Sequence, residues 1–176
     1  MGRPAGPAAW LLLAANLILL GVVWAVSLNA YGQLPPQIAS WSSVWTGQPL
    51  RVERSGAFFL YPVCQVLFFV IGLGLAEIFV IRAPRPGIQG RVPDAESAGR
   101  IRNLREEVLY LALIFFNLMF IHLQTSRILF SREIGAGINR AYFSGLVLMV
   151  IFILLPYYRL RRRIILAEKG GSSGPR

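Results

Sequence analysis

Four stretches of this chain are long, apolar and nearly free of charge, and that single feature constrains the fold more than any other. A hydrocarbon core of about 30 Å is crossed by roughly 20 residues of helix, each adding about 1.5 Å. Ala8 to Leu28 carries no charge and only Asn16 and Ser27 as ordinary polar side chains. Ala57 to Ile81 holds Gln65 near its middle and Glu77 near its end. Val108 to Leu129 is interrupted by Asn117, His122 and the run Gln124, Thr125, Ser126 and Arg127, and Ala141 to Tyr158 by Ser144 before it ends on Pro156. Lipid offers the backbone no hydrogen-bond partners, so segments of this length must satisfy their own amides as helices. The expected fold is an all-α integral membrane protein, its four transmembrane helices forming one membrane domain over residues 1–176. Composition agrees, since charged residues make up 15% of the chain where a soluble domain carries about 25%.

The first stretch is expected to stay as an anchor. Its apolar run exceeds the roughly 7 to 15 residues of a signal-peptide core, and Leu28-Asn29-Ala30 lacks the small residue that cleavage wants first. Orientation follows from the arginines. Thirteen of the eighteen Lys and Arg residues lie at the N-terminus, in the second connection and in the tail, leaving five on the other side, in or next to the other two loops. The positive-inside bias then places both termini in the cytoplasm. The net charge of +10 thus has a membrane explanation, and no motif points to nucleic acid.

The connections differ in kind. Asn29 to Gly56 mixes Tyr31, Trp41 and Trp45 with Pro35, Pro36 and Pro49, and should lie as an outer cap, its rings at the headgroup layer. Trp41, Trp45 and Pro49 are its candidate contact residues, with interfacial anchoring as the plainer role. The cytoplasmic connection, 83–107, opens with a Pro/Gly-rich loop. From Asp94 a helix start is expected, because Asp94 can cap and Ile101, Leu104 and Val108 recur at helical spacing as an amphipathic lead-in to the third span. Residues 159–176 form a basic tail in which Arg161 and Arg162 could meet anionic headgroups or an acidic subunit. Its end, Gly170 to Arg176, has no apolar content to bury and should be mobile in isolation.

Leu34-Pro35-Pro36-Gln37-Ile38, then Thr46-Gly47-Gln48-Pro49, with a membrane helix before and Phe58-Phe59-Leu60-Tyr61-Pro62 after, resembles the N-terminal module of SdpI-like bacterial membrane proteins. The resemblance covers about residues 10 to 75. Where that family tends to have His and Asn, this chain reads Ala39-Ser40-Trp41-Ser42-Ser43-Val44-Trp45. The resemblance implies a bacterial inner-membrane protein of a group linked to toxin immunity and signalling, and no enzyme activity.

Polar residues within the spans are functional candidates by default. Asn16 and Asn117 fall roughly 12 and 13 Å from the inner ends of their helices, so the two amides could meet and fix register. At about 100° per residue, Asn117, Phe120, Gln124 and Arg127 share one face of the third helix while His122 lies roughly opposite, which surrounds that helix with protein. Gln65 lies close in depth to His122, and a Gln65–His122 hydrogen bond is expected. His122 as an axial ligand to a haem or chlorophyll metal, and a proton relay through His122 and Arg127, are the sharper and less favoured readings. Glu77 should snorkel to water near Arg82, and Gly72 and Ala76 have the spacing that permits close helix approach.

One cysteine, Cys64, excludes an internal disulfide, and with a single His it leaves no structural zinc set. Nucleophile–base pairs, paired carboxylates and phosphate-cradling glycine loops are missing from the sequence, so neither enzyme activity nor a cofactor is expected, and lipid contacts are. Two functions remain in view. The first is a structural or accessory subunit that binds other membrane proteins through its outer loop, its third helix at Arg127, and its tail. The second is an SdpI-like immunity or sensing protein that recognises a peptide or toxin at the outer loop. A small transporter is the third and weakest.

Overall fold

The computed structural model describes residues 7–48, 50–76, 78, 95–134, 138 and 140–167. The elements run α1 (Pro7–Tyr31), β1 (Gln37–Ala39), α2 (Trp41–Thr46), β2 (Arg51–Glu53), a 3₁₀ turn (Gly56–Phe59), α3 (Leu60–Ala76), α4 (Ala95–Ser131), α5 (Arg140–Met149), a π turn (Val150–Leu154) and α6 (Leu155–Ala167). Four helical runs, 7–31, 56–74, 98–131 and 140–165, are long and apolar enough to cross a membrane, so this is a multi-pass membrane protein whose outward faces contact lipid. The two three-residue strands lie outside those runs.

Local chemistry explains where the rods begin and bend. Pro7 opens α1, where its missing N–H costs nothing. The lead-in expected before the third span is continuous with it: α4 is one 37-residue helix, roughly 55 Å long at about 1.5 Å per residue. It therefore projects beyond the hydrocarbon at its arginine-bearing end. The expected cap at Asp94, together with Glu77, Arg82, Pro49 and Gly170 to Arg176, lies outside the described residues. The fourth span is a continuous helical run that widens into a π turn just before Pro156, whose ring and missing N–H disrupt the regular ladder one turn back. Through Ala167 the basic stretch after Tyr158 is helical, carried by α6.

α4 is the central rod. It packs against α1, α3, α5 and α6, and at one end against β1 and α2, which meets the expectation that a helix polar on two sides is enclosed by protein. The buried residues of α1 are Ala9, Asn16, Leu20, Val23, Ser27 and Ala30. From Asn16 onward their alternating steps of four and three, with Ala9 one heptad earlier, form a left-handed, coiled-coil-like seam. α4 answers with Leu113, Asn117, Gln124, Arg127 and Ser131, which keep the same heptad phase. Gly72 lets α3 approach: a Cβ there would lie 3.1 Å from Leu113 Cδ2.

The segment after α1 folds into a cap over one end of the bundle. β1 and β2 pair antiparallel with Ile38 opposite Val52, and Ser40 N–H to Leu50 O and Arg54 N–H to Pro36 O extend the ladder at both ends. α2 lies in the connection between the strands and stops at Gly47, whose φ of 71° is the left-handed conformation a helix C-terminus uses. Leu34 and Ile38 drop into an apolar cluster with Ala30, Phe58 and Ile128. A second cluster of Leu20, Phe69 and Leu113 packs the bundle further from the cap.

Candidate functional site

Beside the second apolar cluster, three carboxamides join three helices. Asn117 Nδ2 donates to Asn16 Oδ1 at 2.7 Å, and Gln65 Nε2 donates to Asn117 Oδ1 at 2.8 Å. Asn16 Nδ2 in turn donates to Leu12 O at 2.9 Å and, across the interface, to Tyr110 O at 3.0 Å. All three side chains are at most 2% exposed. An interhelical amide bond contributes only about 0.6 kcal/mol on average, yet a chain of them admits one register where apolar packing would tolerate several. The Asn16–Asn117 contact meets the sequence expectation.

Gln65 does not. Its amide turns to Asn117 rather than to His122, because the α3–α4 contact at Gly72 sets Gln65 over the Asn117 face of α4. The expected Gln65–His122 bond is not formed. His122 instead lies against the Tyr142 ring, centroids 4.6 Å apart, and links α4 to α5. The sequence missed Tyr142 because nothing in residue spacing tells which neighbour will approach the far side of α4.

Arg127 also corrects the sequence reading. A residue expected to reach a partner protein is 1% exposed. Its Nε donates to Ala39 O at 3.1 Å and its Nη1 to Ala57 O and Phe58 O at 2.8 and 3.3 Å, with the guanidinium 5.6 Å from the Phe58 ring centre. A buried cation is tolerable only with such partners. Here they are carbonyls at the end of β1 and in the 3₁₀ turn, so the charge braces the cap from below. Ser131, one turn on, accepts from Ala39 N–H at 3.0 Å and donates to Arg127 O at 2.8 Å. Neither role was legible, since a basic residue near a span end looks like an interfacial anchor.

The upper side of the cap is fixed by a short relay. Trp45 Nε1 donates to Tyr61 Oη, and Tyr61 Oη donates to Trp41 O, both at 3.1 Å. Ser43 Oγ closes onto Leu50 O at 2.6 Å. Arg54 donates to Tyr31 O and Leu34 O at 3.1 and 2.8 Å, and an Arg51–Glu133 ion pair together with Ile138 N–H to Val44 O at 3.1 Å ties in the α4–α5 connection. Trp41 and Trp45 nevertheless stay 54% and 42% exposed, beside exposed Leu50 and Val52.

The remaining candidates lie apart from these groups. Arg161 is exposed and Arg162 half-buried on α6. Gln124 is buried on α4 at the floor of a small cleft against α1. Glu106, 6% exposed with its Oε1 accepting from Arg102 Nε at 3.1 Å, was not singled out, because an acid inside a basic amphipathic stretch normally faces water. No family model, curated protein or solved structure matches the chain.

Proposed function

We propose that this chain is a non-catalytic accessory subunit of a bacterial cytoplasmic membrane, both termini inside, which presents its cap to another membrane protein. The observation that carries this reading is the combination of a fixed frame and an unfilled apolar face. Arg127, Ser131 and the Tyr61 relay hold the cap still, while Trp41, Trp45, Leu50 and Val52 remain exposed on it. Rigid aromatic anchors lose little entropy on docking, and such residues dominate binding energy at protein interfaces. The arginines of α6 supply a second contact for an acidic subunit or anionic headgroups. Photo-crosslinking groups at positions 41 and 45 in native membranes test it: adducts with one discrete membrane protein are expected, and adducts with lipid alone would overturn it.

A second reading, recognition of a peptide or toxin by the same cap in the manner of SdpI-like proteins, is supported by the roles of the motif residues. Leu34 and Ile38 anchor the cap and Gly47 ends α2, so the pattern has a structural reason to exist as a unit. Loss of toxin protection in Trp41→Ala/Trp45→Ala cells would favour it, and unchanged protection would remove its support.

A further inference from the structure

Gln124 presents a problem of hydrogen bonding that the described residues leave unsolved. Its side chain is 1% exposed, and neither Nε2 nor Oε1 has a hydrogen-bond partner among the described residues. It sits roughly 10 Å inside the cap end of α4, at about 1.5 Å per residue from Ser131, where hydrocarbon supplies no partner either. An unmet amide in such surroundings is costly, and a group from beyond the described residues would relieve it.

The cleft over this amide says what size of group that is. Val22, Val23 and Val26 of α1 line it with Ile121, Gln124 and Thr125 of α4, and the open space is about 10 Å³, enough for one water-sized group. Beside the cleft, α1 exposes the small residues Gly21 and Ala25, and a Cβ added at Gly21 would meet nothing within 4 Å. Small residues at this spacing let another helix backbone come close. Thr125, on the rim, is exposed at the same depth with a hydroxyl that can donate and accept at once. The lacking amide and a hydroxyl suited to it thus lie one residue apart on one helix. A two-fold axis exchanges neighbouring positions between copies, so each supplies what the other lacks.

We propose that a second copy of this chain docks on the α1–α4 face, with Thr125 of each copy entering the other's cleft and its hydroxyl bonding the Gln124 amide. A lipid chain would fill the cleft without meeting the amide, and a lone water would leave the exposed Thr125 and the small-residue strip unused. The cap takes no part in this contact, so failure here leaves the reading of Trp41 and Trp45 untouched.

The full chain, labelled on an appended C-terminal tag and reconstituted at falling protein-to-lipid ratios, is scored by single-molecule photobleaching. The wild type is expected to dimerise. Thr125→Val and Gln124→Leu should each weaken the dimer at least fivefold, the double variant no more than the stronger single, and Leu148→Ala on the exposed face of α5 should change nothing. Thr125 is exposed and Val keeps its shape, so an unchanged melting temperature shows that this variant folds, and it decides the matter if Gln124→Leu does not. A wild type monomeric at every ratio, or a dimer indifferent to Thr125→Val, overturns the proposal and assigns the cleft to water, lipid or a foreign helix.

Discussion

Asn16 and Asn117 stand 101 positions apart in the chain and meet through a 2.7 Å hydrogen bond within the α1–α4 seam. Each amide has a further partner: Asn16 reaches Tyr110 O, and Asn117 accepts from Gln65. The pair therefore couples three of the four spans at one level, next to the apolar cluster of Leu20, Phe69 and Leu113.

Removing the middle of that chain should cost more than removing an end. Asn117→Leu strands Asn16 Oδ1 and Gln65 Nε2 together, and a destabilisation of about 2 kcal/mol is expected, against about 1 kcal/mol for Gln65→Leu. Reversible unfolding in mixed micelles measures both. A double-mutant cycle between positions 16 and 117 should return a coupling of about 0.6 to 2 kcal/mol.

Arg127 should tolerate substitution worse than a surface arginine. Arg127→Met leaves the carbonyls of Ala39, Ala57 and Phe58 without their donor, and about 3 kcal/mol of stability should be lost. Arg127→Lys should recover only part of it, because an ammonium lacks the planar fork that reaches two elements at once. Limited proteolysis between residues 32 and 56 reports the loosened cap directly.

Gly72 makes a prediction about size. Its absent side chain faces Leu113 Cδ2 across 3.1 Å, so Gly72→Val should destabilise by about 1 to 3 kcal/mol through overpacking. Leu113→Ala in the same protein should recover part of that loss, while alone it should destabilise by opening a cavity. Melting curves of the four proteins separate crowding from a propensity effect, which Leu113→Ala could not relieve.

Within the cap, Gly47 holds φ at 71°. Gly47→Ala should cost about 1 kcal/mol, and Gly47→Asn less, since Asn enters the left-handed region more readily. Tyr61→Phe cuts both hydrogen bonds of the tryptophan relay. Altered tryptophan emission, with little change in helix content by circular dichroism, is the expected reading.

The four spans were legible because bilayer crossing imposes a length and an apolar content that one dimension records in full. The Asn16–Asn117 contact was legible for a related reason: two lone amides at equal depth in lipid have few other partners. Depth alone also pointed Gln65 at His122, and there it failed. Two residues at one level can still face different sides of a helix, and the approach at Gly72 chose Asn117.

What the sequence determined by itself was the set of rods and the chemistry strung along them, since hydrophobic length and helical spacing depend only on neighbours in the chain. Which rod lies against which was decided by tertiary structure. Packing turned Arg127 inward to brace β1 and the 3₁₀ turn, and set His122 against Tyr142. It also closed Gln124 into a cleft with no hydrogen-bond partner among the described residues. Each of those outcomes depends on a helix rotation that is fixed by steric fit between distant residues, and no local pattern encodes that rotation.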